Sequence, residues 1–469
     1  MIKRIVKKIV LWNKISLRNK NKIRRFFGKK VTRKASKKKK ETPFTSLVNR
    51  FSVAKADFTH YEVALYFAGG MGNIYQVHQW IGPFIALTEQ KKFLLIVRDK
   101  AVFAWLVNNT DFTIVYCLTI ADLTNFYEEN NLKCILYVNN GFKNFQSLMC
   151  ENALHVHINH GESDKSSTAT NQAKAYDYVF IVGQAGYDKY QSNLIKVDMK
   201  HFIKVGRPQL EHILEIDPFD KNQLPPIEIE KFEITEDEPM ENLIVEEENC
   251  VVDRQVILYA PTWEATHESM NFTSLNEYGL ILIEKLLNNP NYYVLYKPHP
   301  HTGSRDSIAK GINNQIKKML KNHHKGEVVL AKDINSVYPH IDLAIFDNSA
   351  VAIDYLQEDK PMLMTDMFDR MDARQGKPTI VKGARLLSVQ DLNNIEDIIK
   401  EEIENDSLKI IRNEVKDYFL GNYDYEKKES TQKFIETIVE ICDERDRLYI
   451  SLEEFNINKK GLESSYNEK

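Results

Sequence analysis

From about residue 61 to residue 365 the chain alternates between short apolar runs bounded by polar turns and longer stretches with helical spacing. Residues 63–67, 93–97, 112–117, 134–138, 154–158, 178–182 and 202–205 read as strands, with helical stretches such as 75–81, 101–107 and 172–176 between them. A second set follows at 255–260, 292–297, 328–331, 343–346 and 361–365. Strands alternating with helices predict a parallel, doubly wound α/β sheet in each set. Residues 432–442, with Phe434, Ile435, Ile438, Val439 and Ile441, predict a last helix that can cross back onto the first domain.

Between the two sets, residues 228–248 hold ten acidic residues against one lysine, after Pro225 and Pro226. Such a segment has little core of its own and reads as a connector or surface insertion. The expected organisation is an arm over 1–50, a first domain over 51–213, an acidic linker over 214–254, a second domain with its closing helix over 255–450, and a polar tail over 451–469. A chain of 469 residues is too long for one ordinary core, and a 43% apolar fraction can fill two. The five cysteines are scattered without CxxC spacing, which argues for a reducing compartment and against a disulfide or zinc framework.

Charge changes the picture at the amino terminus. Residues 1–40 hold 18 Lys or Arg and no acid, leaving 45 basic against 66 acidic residues elsewhere, a net charge of −21. The acidic body repels nucleic acid, and none is expected as a partner. The arm, with Ile2, Ile5, Val6, Ile9 and Trp12 at helical spacing among lysines, suits an anionic membrane surface. It has neither an h-region nor a transmembrane length, so the expectation is a peripheral protein at the cytoplasmic face of the membrane.

Candidate chemistry falls at strand ends, where ligands bind open α/β sheets. The first domain offers His155, His157 and His160, followed by Glu162, Ser163, Asp164 and Lys165. Three histidines in six residues suggest a metal, but no cysteine or carboxylate pair completes a set, so no metal site is expected. His155 and His157 read as strand-face residues hydrogen-bonded in the interior and His160, at the turn, as the chemical one. The second domain offers Thr262 with Trp263 and Glu264; Lys297 with His299 and His301, their backbone fixed by two prolines; and Asp347 with Asn348 and Ser349, opening a helix. Taken singly, Asn348 or Ser349 reads as an N-cap and Trp263 as packing. Gly69, Gly70 and Gly72 mark a loop beside a site and do not have dinucleotide-fingerprint spacing.

The segments NHGESDK, KVGRPQLE, ILYAPTWE, YKPHPHTG and DNSAVAIDYL, spread over residues 61–440, resemble the CDP-glycerol glycerophosphotransferase family of teichoic acid and capsule polymer enzymes. The resemblance implies two Rossmann-like domains facing a cleft, the GT-B arrangement, and an acceptor on a membrane lipid or growing polymer. It matches His160 and His299 to the family's functional histidines and places Ser349 and Asp354 in its donor-binding segment. The chain departs from better-known members at residues 162–165, where they carry a more apolar turn, and at residues 348–350, where many carry paired serines. The implied reaction moves glycerol phosphate, or a related polyol phosphate, from a CDP-linked donor to a glycan hydroxyl and releases CMP, with no cofactor besides the donor substrate.

That reaction needs a base for the attacking hydroxyl and positive charge for the departing diphosphate. His160 suits the first task. His299, placed against the phosphates, is expected to be catalytic with His160, and Lys165, Arg207, Thr262, Lys297, Asp347, Ser349 and Asp354 form the expected donor and phosphate set. Divalent metal dependence stays open, since no DxD motif stands out. Two alternatives share most of these features: a GT-B glycosyltransferase using a sugar nucleotide, and a non-catalytic membrane assembly factor.

Overall fold

The apolar runs become strands because β-branched and aromatic residues buried on both faces need a sheet covered by helices on each side. The structure, a computed structural model, describes residues 9–10, 58–165, 169–213, 219, 224, 254–265, 271–331, 333–368 and 379–467. The acidic segment 228–248 lies outside them. Contacts divide the chain into two units: 1–160 with 169–212 and 422–469, and 161–168 with 213–421.

The first unit is built on eight strands: β1 (Ile9–Val10), β2 (Val63–Phe67), β3 (Phe93–Val97), β4 (Thr113–Tyr116), β5 (Cys134–Tyr137), β6 (Leu154–His157), β7 (Tyr178–Ile181) and β8 (Phe202–Lys204). They lie in the order β1-β4-β3-β2-β5-β6-β7-β8. All neighbours are parallel. The order runs outward from β2 in one direction and then resumes at β5 in the other. That reversal opens a crevice at the carboxyl ends of β2 and β5.

Within the arm only Ile9–Val10 is described, paired with Ile114 and Val115. These β-branched residues extend a sheet edge there, which corrects the helical expectation at those two positions. The rest of the expected helix lies outside the described residues.

Two short helices, α1 (Tyr75–His78) and α2 (Ile81–Leu87), replace the single helix expected after the glycine loop. They are followed by α3 (Lys100–Asn109), α4 (Ile120–Glu129) and α5 (Gln184–Asn193), while residues 171–175 form a 3₁₀ turn. Asp99 caps α3, and Thr119 with Asp122 forms a capping box on α4.

The second unit holds β9 (Gln255–Ala260), β10 (Tyr292–Tyr296), β11 (Gly326–Val328), β12 (Leu343–Phe346), β13 (Met362–Thr365) and β14 (Arg385–Leu387), ordered β11-β10-β9-β12-β13-β14. Again every neighbour is parallel, and the reversal falls between β9 and β12. Its helices are α6 (Gly279–Asn288), α7 (Ser307–Asn322), α8 (Ala350–Tyr355), α9 (Ile395–Asn405) and α10 (Lys409–Leu420). The strand expected at 328–331 lies earlier, at β11, and β14 was not expected, because Arg385 breaks its apolar run.

The closing helix α11 (Glu429–Asn467) groups with the first unit, although residues up to 450 were expected in the second domain. The reason is apolar burial. Phe434, Ile435, Ile438, Ile441 and Cys442 join the core formed by β2, β3 and α2, with Phe434 against Trp80 and Phe84. The helix also runs through most of the polar segment expected as a tail.

Its first turn is held by Glu211, whose carboxylate accepts from Ser430 N at 2.9 Å and Thr431 N at 2.7 Å. Ser430 Oγ in turn donates to Val205 O at 2.8 Å. Gly206 sits between them at φ +72°, where an added Cβ would lie 2.5 Å from Ser430 Oγ. The left-handed backbone alone costs a side chain about 1–2 kcal/mol. Gly206→Ala is therefore expected to lower the melting temperature, and an unchanged melting curve would show that this junction relaxes freely.

Candidate functional site

In the first unit the site is built at the reversal of strand order. Asn159, with φ 57°, turns the chain after β6, and its backbone carbonyl accepts from the buried indole Nε1 of Trp80 at 2.7 Å. His160 follows, and its Nδ1 lies 2.8 Å from the carbonyl of Val138, just beyond β5. A carbonyl can only accept, so Nδ1 carries the ring proton and Nε2 of the neutral ring is the acceptor. Gln76 presents its side-chain nitrogen to that Nε2 at 3.5 Å, while its Oε1 accepts from Asn139 at 2.7 Å. Tyr75 meets the imidazole edge-on, 5.9 Å between centroids.

Arg207, expected among the phosphate ligands, is buried in this unit and donates to His160 O at 3.0 Å and to Gln79 at 3.1 Å. The structure thus brings Arg207 together with His160 by way of the backbone. Sequence reasoning missed Gln76 and Asn139. Gln76 lies four residues beyond the glycine loop, and nothing but the strand order brings it to His160.

The other two histidines are interior, as expected, but differ from one another. His155 bonds Tyr137 Oη at 2.7 Å and Cys150 O at 2.9 Å. His157 stacks on Tyr176, 5.2 Å between centroids, and neither of its nitrogens has a hydrogen-bond partner. Burial, with a smaller contribution from neighbouring His160, pulls its pKa from 6.5 to about 3.

In the second unit the three expected stretches follow β9, β10 and β12, which are adjacent in the sheet. The fully buried Asp347 ties the stretch after β12 to the one after β9. Its Oδ2 accepts from Thr262 N at 2.7 Å and Ser274 N at 3.2 Å, and its Oδ1 from Thr365 Oγ1 at 2.6 Å. Burial pushes the Asp347 carboxyl up, against these hydrogen bonds. Its carboxylate therefore frames the site from inside, and so does the buried Thr262 by its backbone.

Lys165, on the loop counted with this unit, has its ammonium 5.2 Å from the Phe272 ring centroid. Burial pulls its pKa to about 8, partly offset by Asp347. The same loop is fastened by Asp164, which accepts from Ile380 N at 3.0 Å. The polar turn at residues 162–165 is thus built into the second unit.

Lys297 Nζ donates to the carbonyls of Ala331 and, at 3.5 Å, Val329. His299 stacks on Trp263 with 5.8 Å between centroids and 14° between planes, so Trp263 does more than fill the core. The backbone N–H of His301 donates to His299 Nδ1 at 3.1 Å. That leaves Nε2 as the protonated nitrogen of the neutral ring, the reverse of His160. Glu264 takes Gly303 N, Arg305 N and Asp306 N, fastening the loop that follows.

Ser349 stands at the N-cap position of α8, as its single-residue reading expected, but its side chain makes no capping hydrogen bond. Asp354 is buried farther along α8; burial, and after it the nearby Asp354 charge, push the Tyr338 phenol up. Among the described residues no group of three or more His, Cys, Asp or Glu could hold a metal ion.

Residues 232–440 match the family model described as CDP-Glycerol:Poly(glycerophosphate) glycerophosphotransferase, a little under half of the chain. The chain is a transferase of this type. No curated protein matches it. Among solved structures, the wall teichoic acid polymerase TagF superposes with a TM-score of 0.50 at 13% identity, over 82% of the transferase and 90% of TagF. A TagF variant gives 0.51 at 12% identity, over 83% and 90%. The UDP-GlcNAc 2-epimerase of Neisseria meningitidis bound to UDP-GlcNAc gives 0.51 at 11%, over 81% of the transferase and all of the epimerase. At such identities the likeness shows the fold, two parallel α/β sheets with helices, and does not separate one donor from another.

The His157 environment has a measurable consequence for the transferase. The unfolded chain takes up a proton near pH 6.5, whereas the folded ring resists it down to about 3. The stability this ring provides is complete above pH 6.5 and is lost as pH falls toward 3. In urea titrations the wild type should lose up to about 1.4 kcal/mol per pH unit more than His157→Phe across that window. Parallel curves for the two proteins would show that the ring protonates in place.

Proposed function

We propose that the transferase moves glycerol phosphate, or a related polyol phosphate, from a CDP-linked donor to a hydroxyl of a lipid-linked or polymeric glycan acceptor, in the manner of teichoic acid synthesis. The observation that carries this reading is the opposite tautomers of two histidines, each set within its own unit. In the neutral ring His160 is an acceptor at Nε2, and His299 is a donor there. One is arranged to accept the acceptor's proton and the other to donate to a phosphate oxygen.

In the proposed step the acceptor oxygen attacks the phosphorus that bears the polyol. The hydroxyl proton passes to His160 Nε2, the bond from that phosphorus to the bridging oxygen breaks, and CMP leaves with the electron pair. Phosphoryl transfer depends on positioning and charge more than on covalent chemistry. The unit that holds Lys165, Lys297 and His299 is proposed to provide these for the diphosphate. Val138 and Gln76 set the ring of His160, and Arg207 sets its backbone.

His160→Ala is expected to cut turnover with CDP-glycerol by about 10²–10⁴-fold while CMP affinity stays within about twofold. His299→Ala should raise the donor KM as well. Transfer by His160→Ala within about tenfold of wild type would remove the base assignment. Wild-type turnover of a UDP-sugar in place of CDP-glycerol would favour the glycosyltransferase reading.

We further propose that the basic arm holds the enzyme at the cytoplasmic face of the membrane. The support is the charge split between the first forty residues and the body. Among the described residues no helix is long and apolar enough to cross a membrane. Deleting residues 1–40 should release the protein from anionic liposomes, with full-length binding that weakens as salt rises. Cosedimentation of the truncated protein at the full-length level would assign membrane binding to the body.

A further inference from the structure

Asn348 follows β12 at the reversal of strand order and is only 1% exposed, yet neither its Nδ2 nor its Oδ1 has a hydrogen-bond partner. Beside it, Ser349 Oγ is buried and equally unpartnered. A third such atom, Asn335 Oδ1, is buried on the 3₁₀ turn Ile334–Ser336, which packs against α8. Buried polar groups in folded proteins are almost always paired, and leaving one unpaired is costly. Asp347 spends its carboxylate on backbone N–H groups and a threonine, so the neighbouring residue does not supply the partners.

The kinds of atom left over decide what can satisfy them. Asn348 Nδ2 and Ser349 Oγ can donate, whereas the two amide oxygens, Asn348 Oδ1 and Asn335 Oδ1, can only accept. A phosphate offers acceptors alone. It would satisfy the donors and leave both amide oxygens without a hydrogen. A hydroxyl both donates and accepts, and a pair of hydroxyls on neighbouring carbons can meet an amide's N–H and its oxygen together. The unit also has cationic groups to serve a phosphate, among them Lys165 beside Asp347.

We propose that Asn348 and Ser349, with Asn335 Oδ1 on the adjoining turn, form a subsite that reads neighbouring hydroxyl groups of the donor and does not hold its diphosphate. This rests on the reading of the protein as a CDP-polyol transferase and reassigns Ser349 within it. The hydroxyls can come from the ribose or from the polyol, and the two sources are separable by experiment.

Calorimetry on the full chain with CDP-glycerol, CMP and inorganic pyrophosphate, for wild type, Asn348→Leu, Asn348→Ser and Ser349→Ala, tests this. Asn348→Leu is expected to weaken CDP-glycerol about tenfold or more and leave pyrophosphate unchanged. Asn348→Ser, which restores a group that donates and accepts, should recover part of that loss. Should Asn348→Leu fail to fold, Ser349→Ala removes one oxygen that makes no capping hydrogen bond, and should weaken the same ligand with an unchanged melting curve. A loss shared by CMP and CDP-glycerol assigns the hydroxyls to the ribose; a loss confined to CDP-glycerol assigns them to the polyol. Equal weakening of pyrophosphate, or unchanged affinity for every ligand, overturns the subsite. Wild-type protein that binds neither CMP nor CDP-glycerol would instead overturn the transferase reading on which it rests.

Discussion

Backbone groups at the carboxyl ends of parallel strands are the constraint on which the rest of this structure depends. Where pairing stops, a carbonyl or N–H must find another partner, and side chains from neighbouring strand ends supply it. Val138 O takes the ring of His160, and Thr262 N takes the carboxylate of Asp347. Each contact satisfies a backbone group and at the same time fixes a functional or framing side chain. The geometry of both strand-end clusters thus follows from completing the sheets.

The two sheets solve the same problem with different chemistry. In the first, the strand reversal is lined by neutral amides and an imidazole: Gln76, Asn139 and His160. These groups orient a hydrogen-bond acceptor, His160 Nε2, without adding formal charge. In the second, the buried carboxylate of Asp347 lies among strand ends, with Lys165 near enough to feel its charge. Desolvation moves the Lys165 ammonium down toward neutrality and the Asp347 carboxyl up. The Asp347 charge offsets part of what burial costs the Lys165 ammonium.

Histidines show how far residue type is from role. His155, His157 and His160 occur within six residues, yet one is a hydrogen-bonded core residue, one a stacked ring without partners, and one a ring set by a carbonyl. Strand alternation separates His155 and His157 from His160 in the sequence. Only contacts with Tyr137, Cys150 and Tyr176 tell the first two apart, and only the Val138 carbonyl sets the proton of the third. His299 gives the same lesson from the other side, since a single backbone N–H from His301 reverses its tautomer.

By itself the sequence determined the strands and their class. Residues 63–67, 93–97, 255–260 and 343–346 form the strands expected of them, because a run of residues buried on both faces has no other stable use in a doubly wound sheet. It also placed His160, His299 and residues 347–349 at strand ends, since local turn chemistry marks where a strand stops. Tertiary structure alone decided which ends are neighbours. Strand order brought Gln76 to His160, turned Arg207 into support for the first unit, and joined α11 to the core around Trp80. It also left the polar atoms of Asn348 and Ser349 without partners. These outcomes depend on contacts between residues far apart in the chain, and local periodicity carries no record of them.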